Sequence, residues 1–249
     1  MILAQSWHYA FPQLLTAVGL SAAFAFVAWG MRSVTAGAAI TGFLLTGILC
    51  VAAGSGALLP VLTVFLLTYF TTRIGHRKKE RLGTAERRRG RGALQILANV
   101  GVASICATPL LYSAHARYIL LAGTSAALAE AAGDTVSSEL GQALGGTPRL
   151  ITTLRRVSVG RDGAITLIGT LCSLLAIAVV CLCCQWTHLL LPQFYWTVFA
   201  AAFVGTSLDS LLGATLERPG LLGNDSVNFT STAFAAALAI VLQFAHRWL

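Results

Sequence analysis

Long, continuous runs of apolar residues separated by short polar segments dominate the chain. A helix needs about 20 apolar residues to cross the hydrocarbon core of a bilayer. Runs of this length predict about eight spans, at 10–30, 34–53, 56–72, 93–112, 115–133, 163–185, 189–212 and 227–246. The runs lack the alternation of transmembrane barrel strands. The predicted fold class is therefore all-α, a polytopic transmembrane helix bundle in which residues 1–249 form a single integral membrane domain.

The composition supports this prediction and narrows the function classes. The chain is 56% hydrophobic and only 10% charged, whereas a soluble domain carries roughly 25% charged residues. Charge this scarce argues against a soluble protein. The formal net charge of +8 is then expected to concern topology and anionic lipid headgroups, and no nucleic-acid partner is expected. The six cysteines all lie within apolar runs, which favours packing roles over a metal site or a disulfide framework.

The distribution of positive charge predicts the topology. Nine Lys and Arg residues fall in a basic loop at residues 73–92, and the positive-inside rule assigns that loop to the cytoplasm. Alternation then assigns the polar loops at 134–162 and 213–226 to the same face, which predicts a protein of the cytoplasmic (inner) membrane with its active-site loops on the cytoplasmic face. The basic loop could serve topology alone, or arginines such as Arg87, Arg88 and Arg89 could also bind a substrate phosphate.

A first polar cluster follows the fifth predicted span. Asp134, Ser138 and Glu139 share a sector of one helix face if that helix continues past Gly133. Two carboxylates and a hydroxyl suit a hard cation such as Mg²⁺, which takes oxygen ligands. The alternative, in which Asp134 is only a helix N-cap at the membrane interface, is equally compatible with the residue types.

A second cluster occupies the polar loop before the sixth span and combines guanidinium groups, hydroxyls and glycines. Its members are Arg149, Thr152, Thr153, Arg155, Arg156, Gly160 and Gly163. Guanidinium forks match phosphate oxygens in a bidentate manner. The glycines permit tight turns next to a helix N-terminus, where anions bind. These features predict a phosphate site, although ordinary cytoplasmic positive charge remains an alternative for the arginines.

A third cluster joins the last two spans. Asp209 and Ser210 lie at the inner end of the seventh span, and Asn224, Asp225 and Asn228 lie at the start of the eighth. Helix capping could explain the members at the eighth span, but not an acid inside an apolar run. Neither Asp209 nor the acid at position 134 has a Lys or Arg within four residues. We therefore predict that these two acids converge on one bound metal ion, because an acid at such a depth needs a cation or a proton.

Two amides stand just inside the fourth predicted span. Gln95 and Asn99 are spaced i, i+4, and amides facing lipid would lack hydrogen-bond partners. Both are therefore predicted to face protein or a cavity. Pro109 is predicted to kink or end the same helix near its outer end.

Five segments together carry a resemblance to a known family. GRGALQILANVGV, GDTVSSELGQ, PRLITTLRRVSVGRDGAITLIGT, GTSLDSLLGATLE and NDSVNF resemble, in order and spacing, the family of transmembrane protein 19 and phytyl-phosphate kinase. The resemblance runs from about Arg73 onward. It implies a kinase that converts an isoprenoid monophosphate to the diphosphate with CTP as donor. Val136 and Arg161 depart from the family pattern, and dolichol kinase and phosphatidate cytidylyltransferase are more weakly similar.

The resemblance assigns roles to the three clusters. Catalysis and Mg²⁺ binding fall to Asp134, Glu139 and Asp209, and binding of nucleotide and substrate falls to the remaining members together with the two amides. The expected partners are the bilayer, an isoprenoid monophosphate and a nucleotide, and a homo-oligomer is compatible with the sequence. Two other functions stay open: a transporter or lipid flippase with Glu130 and Asp209 as mid-membrane acids, and a cytidylyltransferase that releases pyrophosphate.

Overall fold

The computed structural model describes residues 2–85, 90–113 and 116–246. Arg87, Arg88 and Arg89, for which a phosphate-binding role was an open alternative, lie outside the described residues. The described helices are α1 (Ile2–Gly30), α2 (Ala36–Ala53), α3 (Leu58–Arg73), α4 (His76–Leu82), α5 (Ala93–Ala107), α6 (Arg117–Leu144), α7 (Leu167–Trp186), α8 (Tyr195–Leu212) and α9 (Asn224–His246). Two short strands, β1 (Arg149–Leu150) and β2 (Ala164–Ile165), pair antiparallel.

Seven of the described helical segments are long and apolar enough to cross a membrane. They are Phe11–Gly30, Ala36–Ala53, Ser55–Arg73, Ala93–Leu111, Leu167–Trp186, Pro192–Glu217 and Asn224–Ala245. The predicted all-α polytopic bundle is confirmed. The remaining predicted span, the fifth at 115–133, corresponds to the first part of α6, which is long enough to cross but does not belong to this apolar set.

The polar helix α6 lies in the middle of the bundle. It packs against α3, α5, α7, α8 and α9, and most of its residues from Ile119 to Val136 are buried. Small residues let its neighbours approach closely, since Gly133 faces the Ile177 side chain and Gly123 faces Ile240. Burial inside protein explains how α6 can carry Glu130 and Asp134, because intramembrane charge normally faces the bundle interior.

Local sequence signals account for several helix ends. Thr35 caps α2, its Oγ1 accepting a hydrogen bond from the Ala38 amide at 3.2 Å, and Thr166 caps α7 through the Gly169 amide at 3.0 Å. The predicted effect of Pro109 is confirmed, because α5 ends at Ala107 and a 3₁₀ turn follows.

Connections from distant parts of the chain meet at each of the two ends of α2. At one end, the α1–α2 connection pairs with the end of the basic loop: the Thr35 amide donates to the Arg91 carbonyl and the Arg91 amide donates to the Ser33 carbonyl, both at 3.0 Å. At the opposite end, the Arg117 guanidinium donates to the Ala53 carbonyl at 3.1 Å. The assignment of the first end to the cytoplasm remains a prediction.

The predicted loops contain more regular structure than the sequence indicated. Because α6 continues to Leu144, the predicted loop at 134–162 begins with a further helical segment, and the connection proper spans 145–166. The sequence predicted no strands, yet β1 and β2 form there. Backbone groups folded against a bundle need hydrogen-bond partners, which this hairpin supplies. Likewise, α4 lies within the basic loop, and a π-helical turn at Gly213–Glu217 extends α8.

Candidate active site

Two aspartates from different helices meet at the end of the bundle that bears the 145–166 connection. Asp134 of α6 and Asp209 of α8 both line one cavity there, and the Ser231 hydroxyl donates to Asp209 Oδ2 at 3.0 Å. In the described part of the chain, neither acid takes part in a salt bridge. The pair that the sequence expected to converge is therefore brought together, although α7 separates the two helices in the chain.

The aspartate pair lies in the wall of a cavity of about 210 Å³ between α6, α8, the start of α9 and the 145–166 connection. We call it the acidic cavity. It is lined by Asp134, Ser137, Ser138, Gly141, Gln142, Pro148, Val159, Gly160, Arg161, Asp162, Gly163, Ala164, Thr166, Asp209, Ser210, Gly213, Glu217 and Asn224. Four carboxylates, several hydroxyls and glycine backbone therefore surround the space, with one guanidinium among the lining residues.

The structure separates the members of the first predicted cluster. Ser138 lines the acidic cavity, with its hydroxyl bonded to the Thr135 carbonyl at 3.1 Å. Glu139 does not line it. One Glu139 oxygen accepts from the Thr72 hydroxyl at 3.0 Å, and the other is paired with Lys79. Five residues advance an α-helix by about 140° beyond a full turn, so Glu139 points to α3 and α4 while Asp134 faces the cavity.

Most of the second predicted cluster lies away from the acidic cavity. Its exposed members Arg149, Thr152, Thr153, Arg155 and Arg156 are absent from the lining. The Arg149 guanidinium instead donates to the Leu154 carbonyl at 2.8 Å and so holds a turn in which Leu154 has a φ of 55°. The bond belongs to the turn itself, so it gives the Arg149 side chain a structural role in the connection.

The glycine-rich end of the connection does reach the cavity. Gly160 and Gly163 have φ values of 82° and 72°, which glycine adopts without strain. A Cβ on Gly163 would lie 2.4 Å from the Ala214 amide nitrogen, so only glycine allows this close approach to the turn after α8. Arg161, which lies between the two glycines and departs from the family pattern, is the basic side chain at the cavity rim.

The third predicted cluster is brought together in part. Ser210 and Asn224 line the acidic cavity with Asp209, and Asp225 does not. The Asn228 amide lies between Asn99 and Asp209. In one orientation its nitrogen donates to Asn99 Oδ1 at 3.5 Å, and when turned over the same group donates to Asp209 Oδ2 at 3.3 Å.

The two amides of α5 have different surroundings despite their i, i+4 spacing. Gln95 Oε1 accepts a hydrogen bond from the Gly92 amide at 2.7 Å and caps the helix. Asn99 is buried and lines a second, apolar cavity. The prediction of a cavity-facing amide is thus met by Asn99, whereas Gln95 satisfies its polar group at the helix end.

Sequence reasoning gave no kinase role to a buried acid one turn before Asp134. Glu130 is 1% exposed, its Oε2 accepts from the Thr232 hydroxyl at 2.9 Å, and its Oε1 has no hydrogen-bond partner among the described residues. Gly205 makes room for it, since a Cβ there would lie 2.8 Å from Glu130 Cγ. The i, i+4 spacing to Asp134 is the sequence signal that connects it to the site.

The donor set fits a nucleotide-bridged Mg²⁺ better than a metal held by protein alone. Among the described residues, no group of three or more His, Cys, Asp or Glu side chains is arranged to hold a metal ion. Mg²⁺ is commonly bound by one or two carboxylates together with substrate phosphates and water. The paired carboxylates of Asp134 and Asp209 match that pattern, and the three-carboxylate set that includes Glu139 does not.

Comparison with known proteins identifies the family. A model described as "Integral membrane protein DUF92" matches residues 19–236. The chain belongs to this family. A membrane protein of Synechocystis is 34% identical over 201 residues, which cover 79% of this chain and 77% of that protein. Protein VTE6, chloroplastic, of Arabidopsis thaliana is 32% identical, with 81% of this chain and 62% of that protein covered. Protein PGR of the same plant is 30% identical, with 93% and 98% covered.

These matches confirm the predicted family of transmembrane protein 19 and phytyl-phosphate kinase. No solved structure matches the chain.

Proposed function

We propose that this protein is a CTP-dependent prenyl-phosphate kinase of the cytoplasmic membrane. The observation that supports the proposal most strongly is the meeting of Asp134 and Asp209 in a polar cavity at one end of an apolar bundle. Two unpaired acids beside glycine backbone and a guanidinium form a site for a metal-bound triphosphate. The likeness to VTE6 supports the kinase class.

The reaction transfers the γ-phosphoryl group of CTP to an isoprenoid monophosphate. An oxygen of the acceptor phosphate attacks the γ-phosphorus, the bond from that phosphorus to the β–γ bridging oxygen breaks, and CDP leaves. Catalysis of such transfers rests on positioning and charge stabilisation. The attacking oxygen is already anionic, so the reaction needs no strong general base, in accord with the lack of histidine among the residues that line the acidic cavity.

Each part of the acidic cavity has a role in this proposal. Asp134 and Asp209 would hold Mg²⁺, which neutralises charge on the phosphates when it is bound. Arg161 lies where its guanidinium can bind phosphate oxygens at the cavity rim. The Ser210 hydroxyl and the Asn224 amide supply neutral hydrogen-bond donors in the lining of the cavity.

The two rival functions use the same acids differently. A transporter needs polar groups near mid-membrane that open to both sides, but Glu130 is 1% exposed and sealed by α8 and α9. This burial favours the kinase over the transporter. A cytidylyltransferase would use the same cavity and release pyrophosphate instead of CDP.

The test uses purified full-length protein with Mg²⁺, CTP labelled in the γ-phosphate, and a panel of prenyl monophosphates of increasing length. We expect label in a prenyl diphosphate and stoichiometric CDP. Labelled pyrophosphate with a CMP-bearing lipid would establish the cytidylyltransferase instead. No product from any acceptor, with a protein that remains folded, would refute the kinase.

A further inference from the structure

A second cavity, of about 590 Å³, lies between α1, α2, α3 and α5. We call it the apolar cleft. Its walls are aromatic and small side chains such as Phe24, Ala28, Ala38, Val61 and Phe65. Along α2 it extends at least from Ala38 to Thr46, a distance of about 12 Å at 1.5 Å per residue. Its volume is in the range of about 300–1,000 Å³ that is typical of small-molecule sites.

One end of the apolar cleft is basic. Arg32, Arg73 and Arg91 line it where the α1–α2 connection meets the basic loop. The Arg73 guanidinium lies 3.4 Å from the centroid of the Tyr69 ring and donates to the Tyr69 carbonyl at 3.1 Å, so its position is fixed by the helix that bears it. A cleft that is apolar along its length and cationic at one end matches a molecule with a long apolar chain and an anionic head.

The basic end of the cleft adjoins the aspartate pair of the acidic cavity. Asn99 lines the cleft, and Asn228 lies between Asn99 and Asp209. An anionic head at this end of the cleft would therefore lie on one side of the aspartates, with the acidic cavity on the other.

We propose that the apolar cleft is the binding site of the isoprenoid monophosphate, with its chain between α1, α2, α3 and α5 and its phosphate at Arg32, Arg73 and Arg91. The identity of this ligand as the acceptor rests on the proposed kinase function. The nucleotide and the acceptor then approach the aspartates from different cavities, as an in-line transfer between them requires. Because the apolar cleft is a single cavity with one cationic end, it fits a lipid phosphate with one chain.

Binding without turnover tests the cleft directly. The probe is geranylgeranyl monophosphate, titrated into the full-length protein in detergent micelles with no nucleotide present. Gly42 lines the cleft, and a Cβ there would meet its nearest neighbour, Ile96, at 3.9 Å, so Gly42→Leu should fold and fill the channel. We expect the probe to bind at least about tenfold more weakly, because the added side chain occupies space that the apolar chain of the probe would fill. Gly19→Leu is the matched control, because it adds the same side chain to α1 with nothing within 4 Å of its Cβ.

The phosphate end is tested by a matched arginine pair. Arg73→Gln should weaken binding of the monophosphate about tenfold, within the range of a lost charge-assisted bond. It should leave binding of geranylgeraniol, which has no phosphate, unchanged. Arg77→Gln removes the same charge from α4, at an exposed residue that does not line the cleft. This variant should bind the monophosphate as the wild type does.

The outcomes separate this inference from the proposed function. If the protein forms the diphosphate but both Gly42→Leu and Arg73→Gln bind the probe as tightly as the wild type does, the cleft assignment is overturned and the kinase remains. The expected binding pattern without any diphosphate would refute the kinase and leave the cleft as a lipid-phosphate site. Equal competition by dioleoyl phosphatidate would overturn the commitment to a single-chain ligand.

Discussion

Lys79 and Glu139 form a buried ion pair that fastens α4 to α6. The Lys79 side chain is 1% exposed and its ammonium also donates to the carbonyls of Thr71 and Thr72, at 3.2 and 2.7 Å. The Thr72 hydroxyl completes the contact with the second oxygen of Glu139. An acid that could have been a metal ligand therefore has its oxygens occupied by α3 and α4, and it connects the basic loop to the helix that bears Asp134.

Breaking this pair from one side should destabilise the protein strongly. Lys79→Met leaves the Glu139 carboxylate partly buried without its cation, and we expect a loss of about 3–5 kcal/mol in the free energy of unfolding. The measurement is denaturant unfolding in detergent. The double variant Lys79→Met/Glu139→Leu removes both charges and should recover most of that loss, since apolar replacement of a buried pair is often neutral.

Activity separates the structural role of Glu139 from a catalytic one. In Glu139→Gln, we expect the Mg²⁺ concentration for half-maximal activity to stay within about twofold of wild type, a difference well below 1 kcal/mol. A large rise in that concentration with unchanged stability would return Glu139 to the metal site.

The aspartate pair should behave as one unit. We expect Asp134→Asn and Asp209→Asn each to lower turnover at least about 100-fold, roughly 3 kcal/mol of barrier, because each removes one of two carboxylates that face the same cavity. The double variant should be little worse than either single variant, since residues that act together are not additive. The measurement is initial rate at saturating CTP and acceptor.

A matched control for the pair is Asp225→Asn. Asp225 lies in the first turn of α9 outside the acidic cavity, so the same chemical change should leave turnover near that of wild type. Two small and additive losses in the aspartate variants would mean that both acids are structural, and the kinase site would then have to be sought elsewhere.

Arg161 should matter more for nucleotide use than the other arginines of its connection. Arg161→Gln is expected to raise the Michaelis constant for CTP about tenfold, because a charge-assisted hydrogen bond is worth roughly 1.5–3 kcal/mol. Arg156→Gln makes the same change on a side chain that is exposed and outside the cavity lining. It should alter that constant less than about twofold, a difference well below 1 kcal/mol. The reverse order would restore the phosphate site that the sequence predicted around Arg149.

Run length and local signals predicted the bundle because membrane helices must satisfy their backbone internally. The same signals predicted the end of α5 near Pro109, whereas the continuation of α6 past Gly133 was only a condition attached to the first cluster, and the span was predicted to end there. The convergence of Asp134 and Asp209 could be expected because an acid at such a depth needs a partner or a cation. Helix periodicity alone could not decide which way Glu139 points, since its partner lies 60 residues earlier in the basic loop.

The arginines of the 145–166 connection show a second limit. Their sequence pattern is rich in phosphate-binding residue types, but the direction of each side chain depends on the β1–β2 hairpin and on the turn at Leu154. Two-residue strands leave no periodic signal. The pattern therefore indicated a connection that contributes to the lining of the acidic cavity and, within it, favoured Arg149 over Arg161.

Glu130 offers the sharpest distinction between a kinase and a transporter. It lies one turn from Asp134 but outside the lining of the acidic cavity. In a transporter, an intramembrane acid would carry the coupling ion and its charge would be essential. In the kinase, the buried side chain fills space beside Gly205 and accepts a hydrogen bond from the Thr232 hydroxyl, and an amide can do both.

We expect Glu130→Gln to retain turnover within about threefold, less than 1 kcal/mol of barrier. Glu130→Ala should instead lower the free energy of unfolding by about 2–5 kcal/mol, as large-to-small changes in a packed core do. Initial rates of diphosphate formation and unfolding in detergent measure the two effects. A fully folded Glu130→Gln protein without activity would show that the charge itself is required, and the transporter would then become the better explanation.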